Sequence, residues 1–441
     1  MSDELKFDTA WETLQDGAEV EKAGFGLLSI RSGRICLSEG LDMFTDSNTR
    51  RDGPLVSGYH FAYWLAWNYW RLLYETKPEH IDADWSFAHD VNTIGEGYVW
   101  PQVRIWSDGL CSILSPRPSH AEEREPFRFL ADTPIVLPND RLETAIDQYV
   151  GKMLERLNEK QIHLSELAGL YAELCDERRN PALARQRRLE ARLGLEPGED
   201  HDTEVQPLID AGKAFGESAM DEVAQGLRRR PKLQSSQGIR KQARAFGYAY
   251  RPSDQFRFSN AAFQYDPSQQ PWRLANNMVA KLRDDEALPK RPVSNKRLAE
   301  LFGTRPTVLD GKAKGGEFGF SLAADTDQNG QVVLKSSQWE STRRFALARL
   351  LCDSLLHEQE PLHPSFSIST YRQKTQKAFA AELLCPYDAL KDFLGDDFSN
   401  EKQQTASKHF NVSERTVESI LKNHGDIERS DADEDLFHQA A

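Results

Sequence analysis

The chain has 441 residues, of which 39% are hydrophobic and 28% charged. That is enough apolar side chain to bury real cores and, at ~150 residues per domain, enough length for about three of them; a wholly disordered or fibrous protein is excluded. Lys and Arg total 55 against 69 Asp and Glu, a net charge of -14, so the long-range field repels nucleic acid and any such contact needs a local basic patch. The mean hydropathy of -0.63 predicts a polar surface with some exposed helical or linker stretches.

Cys36, Cys111, Cys175, Cys352 and Cys385 are far apart, odd in number and free of any CxxC pair. A disulfide framework or zinc ribbon is not expected, and a reducing compartment fits better. The opening MSDELKFDTAWETL lacks the basic-then-apolar profile of a signal peptide. No apolar run approaches the ~18–20 residues that cross a bilayer. The expectation is a cytoplasmic protein with no membrane contact.

Residues 1–139 read as a mixed α+β unit of unassigned role. The stretch 24–37 (GFGLLSIRSGRICL) predicts strand, Ser32-Gly33 turn, strand. Residues 55–74 predict one aromatic-rich helix of wide apolar girth, a central element covered by sheet or a buried interface. Residues 103–106 and 110–114 flank Ser107-Asp108-Gly109, a hairpin signal, and a short strand follows at 134–137. His89, Asp90 and Gly95-Glu96-Gly97 offer no chemistry: a His-Asp pair beside glycines is more often a capped loop than a dyad, and the GxG lacks a strand–helix setting.

From residue 140 the period becomes helical, with Leu142, Ile146, Tyr149, Met153 and Leu157 on one face. The basic run 176–192 is read as a solvated helix and 196–204 as a linker, giving a helical region with charged linker over 140–235. Arg228-Arg229-Arg230-Pro231-Lys232 forms a second basic cluster, and a boundary is placed between 230 and 268. Two helices (272–281 and 295–302) then lead to a hairpin, 318–322 and 331–334, around the turn 325–330. Helices at 341–356 and 371–384 follow, short helices fill 387–425, and the acidic tail 426–441 is read as disordered.

The order of RRFALARLLCDSLLH, QKTQKAFAAELLCPYDAL and ASKHFNVSERTVESILKNHG resembles the ImmA/IrrE family of zinc metallopeptidases over 268–425. The resemblance implies a zincin-like domain followed by helices of helix-turn-helix type. It is carried by Arg344-Phe345-Ala346-Leu347-Ala348, Leu355-Leu356-His357, Phe379-Ala380-Ala381-Glu382-Leu383-Leu384 and Pro386. It fails where that family's chemistry lies. In HExxH, residues four apart share a helix face, so two histidines reach one zinc while the glutamate activates its water. Here the ligand positions hold Arg349 and Asp353, and the glutamate position holds Leu350. The carboxylate ligand of the second helix aligns with Thr375, or with Gln373 if the register slips. A guanidinium cannot ligate a cation and leucine cannot act as a base. These degenerate positions leave no catalytic residue, metal or cofactor to expect; Arg349 and Asp353, four apart, are expected either to pair across the vacated space or to form a solvated pair.

In the helix-turn-helix-like segment, Ala406, Phe410, Val412, Val417, Ile420 and Leu421 have the spacing that packs two short helices. Asn411 sits at the turn and Ser413 at the next cap. A nucleic-acid contact there would use Ser413, Arg415, Thr416 and Lys422; the mixed charge of 401–425 disfavours it.

The reading is an α+β multidomain protein whose C-terminal domain resembles an ImmA/IrrE peptidase without its metal site: a non-catalytic regulatory or adaptor protein with a protein partner. The resemblance points to stress response, toxin–antitoxin or phage-defence settings. The alternatives are a metallo-endopeptidase with an unrecognised metal arrangement and a DNA-binding regulator.

Overall fold

A computed structural model describes residues 4–43, 49–120, 125–163, 165–228, 231–251, 258–289, 291–310, 313–324 and 329–428. The chain divides into two compact units, Met1–His201 and Asp202–Ala441. The boundary therefore cuts through the helical region expected over 140–235. The physical reason is the apolar stripe on its first helix. In Asn139–Glu159, Leu142, Ala145, Ile146, Tyr149, Val150, Met153 and Leu157 are buried, and this stripe closes the core of the N-terminal unit.

In that unit Leu5–Trp11 pairs antiparallel with Phe25–Ser32, from Leu5 opposite Ser32 to Trp11 opposite Gly26. Alternation of LKFDTAW points Leu5, Phe7 and Thr9 inward. The other edge of Phe25–Ser32 pairs with Ile35–Cys36 and with Leu55–Ser57. The expected helix over 55–74 is three elements: that strand, then Gly58–Trp67 and Tyr69–Tyr74. The two helices part at Asn68, whose Nδ2 donates to Trp64 O at 3.0 Å. Phe7, Phe61 and Tyr149 meet edge-on, with ring centroids 5.3–6.2 Å apart. Thr9 Oγ1 lies 2.7 Å from the Tyr149 hydroxyl, and Lys152 pairs with Asp8 beside it. Gly58 is required there, because a Cβ would stand 2.4 Å from that hydroxyl. The hairpin Val103–Ser107/Cys111–Pro116 is extended by Ile135–Pro138.

His89 and Asp90 form no dyad. Nε2 of His89 faces Glu75 Oε2 at 3.1 Å and Nδ1 faces Ile105 O at 2.7 Å, while Asp90 takes two bonds from Arg104 at 2.6 and 2.8 Å. The basic run 176–192 is not a solvated face either. It breaks at Asn180-Pro181 into Glu166–Arg179 and Pro181–Leu193. Arg178 pairs with Glu143 and Asp147, Arg187 with Glu177 and Glu190, and Arg192 lies over the Tyr74 ring. The buried residues of Pro181–Leu193 include Glu190 and Arg192 alongside Leu189 and Leu193.

The C-terminal unit holds an antiparallel sheet ordered Tyr248–Tyr250, Gly330–Val333, Gly319–Leu322, Leu362–Ser365. Residues 236–250, inside the expected boundary zone, thus belong to this unit. The expected turn 325–330 falls largely on residues 325–328, outside the described residues. Helix Tyr371–Leu384 packs between Pro271–Asp285 and Glu340–Leu356. Covered on both flanks, it buries a run of polar residues, Arg372 to Gln376. Helix Glu217–Gly226 packs against Leu362–Ser365. Tyr387–Leu394, Asn400–Phe410 and Glu414–His424 complete the unit. Of the tail read as disordered, residues 429–441 lie outside the described residues. All five cysteines are free thiols, and all but Cys175 are buried. Among the described residues no helix is long and apolar enough to cross a membrane.

Candidate functional site

Two neighbouring helices bring Arg349, Asp353, Gln373 and Gln376 together in the interior of the C-terminal unit. Positions 349 and 353 are one turn apart on Glu340–Leu356; 373 and 376 are one turn apart on Tyr371–Leu384 and face them. Arg349 Nη2 donates to Phe366 O and to Gln373 Oε1, each at 2.5 Å, and more distantly to Gln376 Oε1 at 3.3 Å. Gln373 Oε1 also accepts from the Phe366 amide at 2.8 Å. Gln376 Nε2 donates to Asp353 Oδ1 at 2.7 Å and to Pro364 O at 3.0 Å. The Gln376 amide therefore stands between the Arg349 guanidinium and the Asp353 carboxylate, while Gln373 ties Arg349 to Pro364 O.

Asp353 is claimed by a different cation. Arg372 Nε and Nη2 grip its two oxygens at 2.8 and 2.5 Å, and Arg372 Nη1 reaches Glu360 Oε2 at 3.0 Å and Ser218 Oγ at 2.8 Å. The pairing expected between Arg349 and Asp353 is thus corrected: the carboxylate pairs with Arg372 because that side chain enters from the facing helix in a forked geometry that an i,i+4 neighbour cannot match. Neither alternative weighed from sequence, a bridge or a solvated pair, describes Arg349. It is buried, and among the described residues its Nε has no hydrogen-bond partner.

The remaining expected positions are placed plainly. Leu350 is wholly buried in the core. Thr375 turns back on its own helix, its Oγ1 donating to Tyr371 O at 2.9 Å; Gln373 is the residue that faces Arg349. Sequence reasoning missed Arg372, Gln376 and Glu222. The signal was present in the run Arg372-Gln373-Lys374-Thr375-Gln376, which leaves the helix no apolar face at its start even though the helix cannot be a surface one.

Burial pushes the Asp353 carboxyl up, but Arg372 and its neighbours outweigh this and hold it well below the usual carboxylate range. Burial brings Arg349 down to about 10, so it stays cationic at neutral pH. Burial lowers His357 to about 4, with Arg372 adding to the effect; its Nε2 lies 3.0 Å from the Tyr265 hydroxyl. Burial also lifts Cys352 well above the ordinary thiol value. Glu222, from helix Glu217–Gly226, accepts from Thr370 Oγ1 at 2.8 Å and is raised by burial to about 7, against the pull of Arg372.

The zinc implied by the family resemblance does not fit these residues. Two guanidinium groups and two primary amides occupy the space where the helices face each other, and the Asp353 oxygens are taken by Arg372 and Gln376. His363 Nδ1 comes within 3.3 Å of Asp353 Oδ2, yet among the described residues no three His, Cys, Asp or Glu side chains are grouped to hold a metal ion. The constellation is a closed, charge-compensated network. It offers neither a thiolate nor a base open to a substrate.

The helix-turn-helix-like segment forms as read. Asn411 is left-handed at φ 51°, ψ 51° between Asn400–Phe410 and Glu414–His424, and Ser413 caps the second helix by accepting from the Thr416 amide at 3.1 Å. The residues named for nucleic-acid contact do not make one surface. Thr416 and Lys422 are buried, Lys422 being paired with Glu418 at 2.6 Å, whereas Ser413 and Arg415 are exposed. Phe410→Ala is expected to cost about 3–5 kcal/mol through the cavity it leaves, and Arg415→Ala less than about 0.5 kcal/mol, measured by chemical denaturation.

Compared with protein-family models, curated proteins and solved structures, the chain matches none.

Proposed function

We propose that the protein is a non-catalytic regulatory or adaptor protein that acts through protein–protein contacts, an ImmA/IrrE-like pseudo-peptidase of the stress-response, toxin–antitoxin or phage-defence type. The observation that supports the reading is the network itself. Between the two helices that would carry ligands and base, Arg349, Gln373, Gln376, Asp353 and Arg372 are joined by hydrogen bonds into one network. A guanidinium at the first ligand position excludes a cation electrostatically as well as sterically.

The test is metal content and its linkage to stability. Purified protein is expected to carry no stoichiometric zinc by elemental analysis, and a chelator is expected to leave its melting temperature unchanged. A structural metal would instead make chelation cost several kcal/mol, and that result would return the protein to the peptidases. The geometry also revises which changes would rebuild a site: Arg349→His, Leu350→Glu and Asp353→His need Gln373→Glu on the facing helix, not Thr375→Glu.

A further inference from the structure

Residues 227–251 contain eight Lys and Arg and no Asp or Glu, within a chain of net charge -14. Helix Ser236–Phe246 buries Ile239, Gln242 and Ala243 on one face and leaves Lys241 and Arg244 exposed. It packs beside the strand Gly330–Val333, and the two enclose a groove of about 580 Å³ lined by Lys241, Phe246, Gly315, Gly316, Glu317 and Lys335 among others. Gly316 bridges in parallel to Lys335, and the Glu317 amide donates to Gln242 Oε1 at 3.4 Å.

Gly315 and Gly316 are held to glycine by the protein's own packing. A Cβ on Gly315 would lie 2.4 Å from Ser336 Cα, and one on Gly316 would lie 2.5 Å from Val333 Cγ1. Phe246 is half-buried, and the lining Lys241 and Lys335 are exposed, as are Arg244 and Lys314, next in sequence to the lining Ala245 and Gly315; Glu317 is the one carboxylate among the described lining residues.

We infer that this groove binds single-stranded nucleic acid. Cations spaced along a channel neutralise successive phosphates, and a half-exposed ring offers a face on which a base can stack. A duplex fits less well: its higher charge density meets the repulsion of the remaining acidic surface, and it has no unstacked base for Phe246. The inference concerns a surface separate from the buried network and does not depend on the adaptor reading.

The test is fluorescence anisotropy of a labelled oligodeoxythymidylate with the full chain at about 50 mM salt, a low-salt condition that favours phosphate contacts. Saturable binding is expected. The logarithm of the affinity should fall with the logarithm of salt at a slope of about -2 to -3, as three or four single-strand phosphate contacts require. Lys241→Glu with Arg244→Glu should weaken binding roughly tenfold or more at unchanged melting temperature, and Arg415→Ala should leave it intact. Absence of binding would overturn the proposal, as would equal affinity in the double variant. Competition by polyglutamate of matched charge as effective as that by unlabelled oligonucleotide would also overturn it, in favour of an acidic protein.

Discussion

Arg372→Met is expected to destabilise the protein by about 3–5 kcal/mol at neutral pH, the largest effect of any single substitution in the network. The expectation rests on what is left behind. Asp353 is completely buried, takes two bonds from Arg372 and keeps its charge because of them; without the guanidinium only the Gln376 amide and the badly aimed His363 remain. Arg372→Met with Asp353→Leu should recover most of the loss, since removing both charges also removes both desolvation costs. Arg349→Met in a cycle with Asp353→Leu should show much weaker coupling, because the Gln376 amide intervenes between them. Equilibrium denaturation of the three single and two double variants measures the interaction energies. A coupling of Asp353 to Arg349 as large as its coupling to Arg372 would mean that the pairing described above is wrong.

Glu222→Gln is expected to stabilise the protein at pH 8 by a few kcal/mol and at pH 5 by less than about 1 kcal/mol. Burial raises the carboxyl in the folded chain to about 7 from an ordinary 4.5, so between those values the native state holds a proton that the unfolded state releases. Stability from this group is therefore fully present below about pH 4.5 and declines as pH rises to about 7. Above that the fold carries a buried anion that competes with Asp353 and Glu360 for Arg372. The amide keeps the Thr370 hydrogen bond at every pH. A stability difference between wild type and Glu222→Gln that does not change across pH 5–8 would show that Glu222 ionises freely in the fold.

Much of the architecture was legible because local signals and packing agree. The helix at Asn295–Phe302 and that at Tyr371–Leu384 have the bounds read from caps and periodicity; the Ser107-Asp108-Gly109 hairpin is where turn chemistry puts it, and the first hairpin turns at Gly33-Arg34, one residue beyond the Ser32-Gly33 read from the sequence. Residues 55–74 misled because the aromatic run is apolar on all sides, so periodicity could not reveal the break at Asn68 or the strand at Leu55–Ser57. The run 176–192 misled for a related reason. Its arginines are matched by Glu143, Asp147, Glu177 and Glu190, and two of those four acids, Glu143 and Asp147, lie on a different helix, outside the run itself. At the candidate site the positions that would have to change were identifiable, but their partners were not: Arg372 and Gln376 come from the second helix, and no spacing rule within one helix points across to another.

The tie between Thr9 and Tyr149 spans 140 residues of chain, and it bears on the order in which the molecule can be made. The first strand emerges from the ribosome with its hairpin partner close behind, yet the helix that covers its inner face is synthesised much later. At about 5–20 residues per second the wait is roughly 7–30 s. Through that interval Leu5, Phe7, Leu28 and Ile30 form one face of a nascent sheet that Gly58–Trp67 covers in part, Phe61 meeting Phe7, while the side that Tyr149 closes stays open. Translation pace and early chaperone capture therefore bear on the yield of the N-terminal unit, whose core is complete only when the stripe ending at Leu157 has been made.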